Sequence, residues 1–292
     1  KAARQSIGPE LEKRIQTIID TGLVELNEDF KIYWNNFPIA RLQPGKDYLE
    51  PEIILIVDDI IEITEQKKLR TYLEKWLKEK INFILKSLID LKSLKESNSS
   101  IRALAYQLYE NNGVVKREFV TDYLNKLGQE ERKILRNLGV KFGRYHIFLF
   151  KLLKPEAVLL RVLLWKNFHQ KHFDLNPPKF GLNFIEDKKL KSRNFMLLCG
   201  FENFDKYFVR IDILERLFVQ IINANKEIKD NNREIKLIPE MLNLLGCNKE
   251  NFIHLIQRMN YKTFEKNNET YFKYVPKKQF KKKYHFKNQN KN

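Results

Sequence analysis

Residues 139–165, GVKFGRYHIFLFKLLKPEAVLLRVLLW, constrain the fold more than any other stretch of this chain. We predict that Tyr145 to Phe150 forms a short extended segment. Pro155 begins a helix at the position that proline favours, the first helical turn. Apolar residues then lie almost all round this helix: Val158, Leu159, Val162, Leu163 and Leu164. A helix that is apolar on every side must be buried, so other elements have to surround it.

Hydrophobic periodicity elsewhere predicts a mainly α chain with small β insertions. The longest helix is predicted over residues 65–95, where apolar residues recur every three or four positions and lysines cover the opposite side. Residues 30–34 alternate as in a strand, and Asn35–Asn36 suit a tight hairpin turn. Asn176-Pro177-Pro178 marks the best linker. The predicted regions are a helix with a small β element (1–62), a helical domain (63–175), an α+β region (176–275) and a disordered basic tail (276–292).

The α+β region is predicted to end in a winged-helix-like unit. Two helices, the second capped by Asn248, precede two strands, Tyr261–Phe264 and Tyr271–Val275, that flank Asn267–Asn268. Helix, turn, helix and hairpin in this order are typical of a winged helix. Upstream of this unit, Asp212 and Glu215 have the spacing of a capping box, which predicts the beginning of a further helix.

The chain carries 54 Lys and Arg against 37 Asp and Glu, a net charge of +17. A surface this basic attracts polyanions, nucleic acid first and anionic membrane second. The alternative is an AT-rich genome, which favours lysine codons. This would explain the overall charge but explains clusters of charge less well. Cys199 and Cys247 lie far apart without a metal spacing, which favours a reducing cytoplasm. No apolar run approaches the roughly 18 residues that cross a bilayer, so no membrane partner is expected.

Two groups of residues are candidates for binding nucleic acid. The first lies in the winged-helix-like unit, with Lys249, His254, Gln257 and Arg258 on the polar side of its second helix and Lys262 and Lys266 on its hairpin. Such donors reach phosphates and base edges, although winged helices also serve as plain packing modules. The second group lies in the tail: Lys277, Lys278, Lys281, Lys282, Lys283 and Tyr284, followed by Phe286 and Lys287. Lysines there would neutralise phosphates and aromatic rings would stack on unpaired bases; the alternative is a solubilising tail.

The sequence contains no motor and no catalytic constellation. It has no G-x-x-x-x-G-K-[ST] phosphate loop, and its Gly45-Lys46 pair is followed by Asp47. His169 and His172 stand three residues apart, but no second ligand pair follows at a useful spacing. We therefore predict no catalytic residue, no metal site and no cofactor in this chain.

Several landmarks together resemble a known family. They are IRALAYQLYENNGVV at 101–115, LGVKFGRYHIFLFKLLKPEAVLLRVLLW at 138–165 and YFVRIDILERL at 207–217, with weaker likeness in ARQSIGPELEKRI, FPIARLQPG and LLGCNKENFIHLIQRMNY. These segments are similar to the C-terminal, post-motor region of the mitochondrial degradosome RNA helicase family, in its alphaproteobacterial branch. The likeness extends to about residue 275, and its landmarks are structural rather than catalytic.

The resemblance implies the accessory region of an ATP-dependent superfamily II helicase. In that family two RecA-like domains use ATP and Mg²⁺ to move along a strand, and a largely helical C-terminal part packs on this motor in cis. The chain begins at Lys1 rather than Met, which indicates a fragment, a processed chain or an incomplete reading frame. Either the motor lies upstream of Lys1 or this chain is a remnant of such a protein. Single-stranded RNA or DNA is the expected partner. Two rival hypotheses are a stand-alone winged-helix DNA-binding protein and an adaptor that recruits a nuclease.

Overall fold

The computed structural model describes residues 13–56, 62–96, 99–171, 173–187, 192–227 and 233–276. Within these ranges, helices alternate with four antiparallel sheets of three or four strands. Helix accounts for 52% and strand for 22% of the structure. The fold is therefore mixed α/β, and the prediction of a mainly α chain that ends in a winged-helix-like unit is wrong.

Strand length explains this error. Five strands that the sequence does not reveal have two to four residues: β5 (Val114–Lys116), β6 (Val140–Phe142), β8 (Phe184–Glu186), β9 (Phe201–Phe204) and β11 (Ile235–Lys236). Alternation of apolar and polar residues cannot show in so short a segment. Such strands are held by partners far away in the sequence, as when β5 pairs with β7 (His146–Leu149).

The first sheet is a meander in chain order. Its strands are β1 (Val24–Leu26), β2 (Lys31–Trp34), β3 (Phe37–Gln43) and β4 (Glu52–Leu55). Asn35 and Asn36 have φ of 44° and 66°, the left-handed region that a tight two-residue turn requires, so the predicted hairpin turn is confirmed. Buried residues of this sheet share one hydrophobic core with the described part of α1 (residues 13–21) and with the helices that follow.

The long amphipathic helix is present but divided. α2 (Ile63–Ile84) and α3 (Lys86–Lys92) meet at Leu85, whose φ of −103° and ψ of 20° interrupt the helix. Its predicted apolar stripe is buried at Leu69, Leu73, Leu77 and Ile81. The break allows α3 to pack against α4 (Ser99–Glu110), an arrangement that a straight helix would not reach.

The second sheet has β7 between β5 and β6. Two helices, α5 (Thr121–Asn125) and α6 (Gln129–Asn137), connect β5 to β6. All four residues of β7 are buried, so the predicted extended segment is a central strand. α7 (Pro155–His169) begins at proline as predicted.

One buried residue of α7 is a cation. The Arg161 side chain is fully buried and donates hydrogen bonds to the carbonyl oxygens of Asn112 (2.7 Å) and Leu152 (2.6 Å). Burial lowers the pKa of Arg161 to about 10, so the guanidinium is still charged at neutral pH. It therefore ties α7 to the loop before β5 and to the turn after β7.

The third sheet orders β8, β10 (Tyr207–Arg210) and β9. α8 (Arg193–Leu198) precedes β9, and α9 (Ile211–Glu227) follows β10 directly. The predicted helix is confirmed, but its capping box is not formed. The Asp212 carboxylate instead accepts a hydrogen bond from Arg210 Nε at 2.6 Å, and Glu215 binds backbone amides of residues 144–146.

The fourth sheet closes the described chain. α10 (Pro239–Leu245) and α11 (Lys249–Arg258) precede the hairpin of β12 (Tyr261–Lys266) and β13 (Glu269–Tyr274), and β11 pairs with the other edge of β13. The predicted helices and hairpin of this region are confirmed as elements. Phe252, Leu255 and Phe272 are buried in a core shared with α9.

Candidate nucleic-acid interface

The polar side of α11 is occupied by contacts within the chain. Lys249 Nζ lies 3.1 Å from Glu265 Oε1, and Arg258 Nη2 lies 2.7 Å from Asp205 Oδ2. Gln257 Nε2 donates to Thr263 Oγ1 at 3.0 Å, and His254 Nε2 lies 4.0 Å from a carboxylate oxygen of Glu250. The helix that the sequence offers as a recognition element thus directs its predicted donors to its own hairpin and to the β9–β10 turn.

The register of the hairpin determines a second surface. Asn267 and Asn268 form the turn with φ of 50° and 61°. β12 and β13 pair so that Phe264 lies opposite Tyr271. Side chains alternate between the two faces of a strand, and the face that carries Phe272 is buried. The opposite face, which we call the outer face, carries Lys236, Lys262, Phe264, Lys266, Glu269, Tyr271 and Lys273.

Two aromatic rings lie side by side on the outer face. The centroids of the Phe264 and Tyr271 rings are 6.1 Å apart, and the ring planes differ by only 16°. Both side chains are partly exposed. Lys266 Nζ lies 5.5 Å and 6.0 Å from the two centroids. Near-parallel, accessible rings beside cations are what sequence-independent binding of single strands uses.

Lys262 and Lys273 lie directly opposite each other on the same face. Within the part of the chain that the structure describes, neither lysine forms an ion pair. Like charges at opposite positions destabilise a sheet. This pair therefore provides a local excess of positive charge next to the two rings.

The remaining lysines of the outer face are paired. Lys236 binds Glu269, and Lys266 binds Glu234. The hydrogen bond from Lys236 lowers the pKa of Glu269, so this carboxylate is charged at neutral pH. Exposed pairs of this kind contribute little to stability, and a phosphate can replace the carboxylate.

The structure thus separates the predicted site residues. Lys262 and Lys266 share the outer face, whereas Lys249, His254, Gln257 and Arg258 belong to α11. The tail residues Lys277, Lys278, Lys281, Lys282, Lys283 and Tyr284 lie outside the described residues. Sequence analysis missed Phe264, Tyr271, Lys236 and Lys273. A signal was present for three of them, because a two-residue turn at Asn267–Asn268 fixes which residues face each other.

Within the described ranges, no cluster of three or more His, Cys, Asp or Glu side chains is arranged to hold a metal ion. None of the helices in those ranges combines the length and the apolar character of a membrane span. No protein-family model, curated protein or solved structure matches this chain.

Proposed function

We propose that this chain binds single-stranded RNA or DNA without sequence preference, through the outer face of its C-terminal sheet. The observation that carries the proposal is the pair of partly exposed, near-parallel rings of Phe264 and Tyr271. Beside them lies the Lys262–Lys273 pair, which has no carboxylate partner among the described residues. Rings bind the faces of successive bases, and lysines neutralise the backbone between them.

Base stacking outweighs the contact that now occupies the rings. Lys266 Nζ lies over both rings, and an exposed cation–π contact contributes about 0.5–1 kcal/mol. A base stacked on an aromatic side chain contributes roughly 1–3 kcal/mol. The incoming base therefore displaces the ammonium group, which then remains beside the strand as a phosphate ligand.

We propose the same biological setting that the sequence indicates, the accessory region of an ATP-dependent superfamily II helicase. The resemblance of residues 101–115, 138–165 and 207–217 supports it. ATP and Mg²⁺ would be held by a motor in cis and not by residues of this chain, which would keep the strand close to that motor. The widely spaced Cys199 and Cys247 support a cytoplasmic location.

A role as an adaptor is the second candidate. Large apolar side chains are exposed on the helical part, most of all Phe83 on α2 and Phe119 before α5, which are 82% and 69% exposed. Such side chains suit a protein partner, whether the motor or a nuclease. The DNA-binding regulator is not retained, because it depended on a winged-helix unit.

Fluorescence anisotropy with a labelled oligonucleotide tests the proposal. We expect Phe264→Ala together with Tyr271→Ala to weaken binding of oligo-dT by at least about tenfold, because two stacking surfaces are lost. Phe37→Ala is the matched control, since Phe37 is an exposed ring on the β2–β3 turn, and it should not change the affinity. Equal affinity for the double variant and the wild type, with both proteins folded by circular dichroism, would contradict the proposal.

A further inference from the structure

A groove of 430 Å³ lies between the second sheet and the end of α11, away from the outer face. Four cationic side chains line it: Lys116, Arg117, Arg144 and Arg258. Tyr145, Phe204 and Met259 add apolar wall. The volume falls within the range of about 300–1,000 Å³ that is usual for small-molecule sites. The sequence gives no hint of this site, because its residues come from four distant segments.

The floor of the groove is a buried ion-pair network. His146 Nε2 lies 2.8 Å from Glu202 Oε2, and both side chains are 2% exposed. Glu202 Oε1 also lies 3.5 Å from Lys116 Nζ and 3.2 Å from Arg193 Nη2. Two cations and the His146 imidazole therefore share this one carboxylate, which offsets its repulsion of an anion.

The turn that carries Arg144 is held by the carboxylate of Glu215. The Glu215 carboxylate accepts hydrogen bonds from the backbone amides of Arg144, Tyr145 (2.9 Å) and His146 (2.8 Å). A Cβ at Gly143 would lie 2.4 Å from the Glu215 carboxyl carbon, so a larger residue there would displace this carboxylate. Arg117 Nη1 donates to the Gly143 carbonyl oxygen at 2.9 Å. This turn therefore presents Arg144 from a rigid support.

The cations at the mouth of the groove are available to a ligand. The Arg144 side chain is exposed and has no ion-pair partner among the described residues. Arg258 pairs with Asp205, but the two side chains are 62% and 53% exposed. An exposed pair of this kind contributes little to stability, less than the charge-assisted bonds that arginine makes to phosphate.

We propose that this groove binds the phosphate group of a nucleotide, with Arg144 and Arg258 as its principal ligands and the base against the Tyr145 and Phe204 wall. Lys116 and Arg117 line the same groove, as does the acidic Glu118. The nucleotide is either a free nucleoside monophosphate or one unit of a nucleic-acid strand. The inference stands apart from the proposed function, because no residue of the outer face lines the groove.

Calorimetric titration of the full chain tests the inference, with AMP, adenosine and oligo-dT as separate ligands. We expect Arg144→Gln together with Arg258→Gln to weaken AMP binding by about tenfold or more, because two charge-assisted contacts are lost. Adenosine, which lacks the phosphate, should bind the wild type at least about tenfold more weakly than AMP. Arg70→Gln is the control, since Arg70 is an exposed arginine on α2 that does not line the groove.

The ligands distinguish the two sources of phosphate. Loss of AMP binding in the double variant assigns the groove to a free nucleotide, whereas loss confined to oligo-dT assigns it to a strand. Unchanged binding of both ligands in the double variant overturns the inference. Failure of the proposed function gives a different result, because Phe264→Ala with Tyr271→Ala would then leave oligo-dT binding intact while AMP binding still depends on Arg144 and Arg258.

Discussion

The Lys262–Lys273 pair lowers the stability of the hairpin but favours the binding of phosphate. The two ammonium groups face each other across β12 and β13 without a described carboxylate partner. Opposite charges in such positions stabilise a hairpin, and like charges destabilise it. The pair therefore costs stability, and that cost is consistent with a surface that binds phosphates.

Replacing one lysine by glutamate should therefore change stability and affinity in opposite directions. Lys262→Glu should raise the free energy of unfolding by roughly 0.2–1 kcal/mol, because a repulsive cross-strand pair becomes attractive. The same variant should bind oligo-dT several-fold more weakly. Denaturant unfolding and anisotropy measure the two effects.

Lys236→Glu is the contrasting control. It removes the ion pair with Glu269 and places two carboxylates together, so it should lower stability as well as affinity. If Lys262→Glu also lowered stability, the account of the lysine pair would be wrong.

His146 makes stability depend on pH. Burial opposes the charged imidazolium, but the hydrogen bond to Glu202 and the Glu215 carboxylate, 3.5 Å from Nδ1, together raise the pKa of His146 above its ordinary value of 6.5. Its stabilisation is therefore fully present below pH 6.5 and is lost as the pH rises through the raised pKa. Burial would raise the pKa of Glu202, but the hydrogen bond from His146 lowers it, so its own contribution is lost only on acidification.

Melting temperatures measured from about pH 6 to about pH 9 test this. The wild type should melt at a lower temperature as the pH rises. His146→Gln should flatten that dependence, because glutamine keeps a hydrogen-bond donor but does not titrate. His254→Gln, a change at an exposed histidine, should keep the wild-type slope. A slope that persists in His146→Gln would assign the effect to another group.

At the scale of elements, α9 and β7 are joined by one carboxylate. Glu215 accepts three backbone amides from the turn before β7. Glu215→Ala should destabilise the fold by about 1–3 kcal/mol, since charge-assisted hydrogen bonds, two of them partly buried, are lost. Hydrogen exchange should show lost protection at residues 144–146 in particular. Uniform loss of protection throughout the chain would indicate a global effect instead.

The elements also show what sequence can predict. The hairpin of residues 261–274 was predictable because alternation and Asn267–Asn268 are local signals. The spacing of Asp212 and Glu215 predicts a helix cap, because spacing is a local signal. In the fold, Glu215 instead accepts hydrogen bonds from the amides of residues 144–146, which are distant in sequence. The break at Leu85 cannot be predicted either, because the amphipathic stripe continues through it. The break depends on the packing of α3 on α4. The groove depends on chain segments that meet only in the fold.

At the scale of the whole molecule, the net charge of +17 predicts strong dependence on salt. Each phosphate contact to a single strand contributes about −0.7 to the slope of log K against log salt. Removing residues 276–292, which carry seven lysines and no acid, should make this slope less steep and weaken binding. The rings of the outer face should still bind oligo-dT at low salt. An unchanged slope would refute a role for the tail in binding.

The most direct test of the central claim is photochemical crosslinking of the whole chain to an oligonucleotide of 5-bromouridine, with the crosslinked residues mapped by mass spectrometry. Crosslinking requires a base in contact with a side chain, so it reports the stacking surface itself. The account predicts crosslinks at Phe264 and Tyr271 on the outer face. Crosslinks that avoid both rings and cluster instead on the polar side of α11 would contradict it.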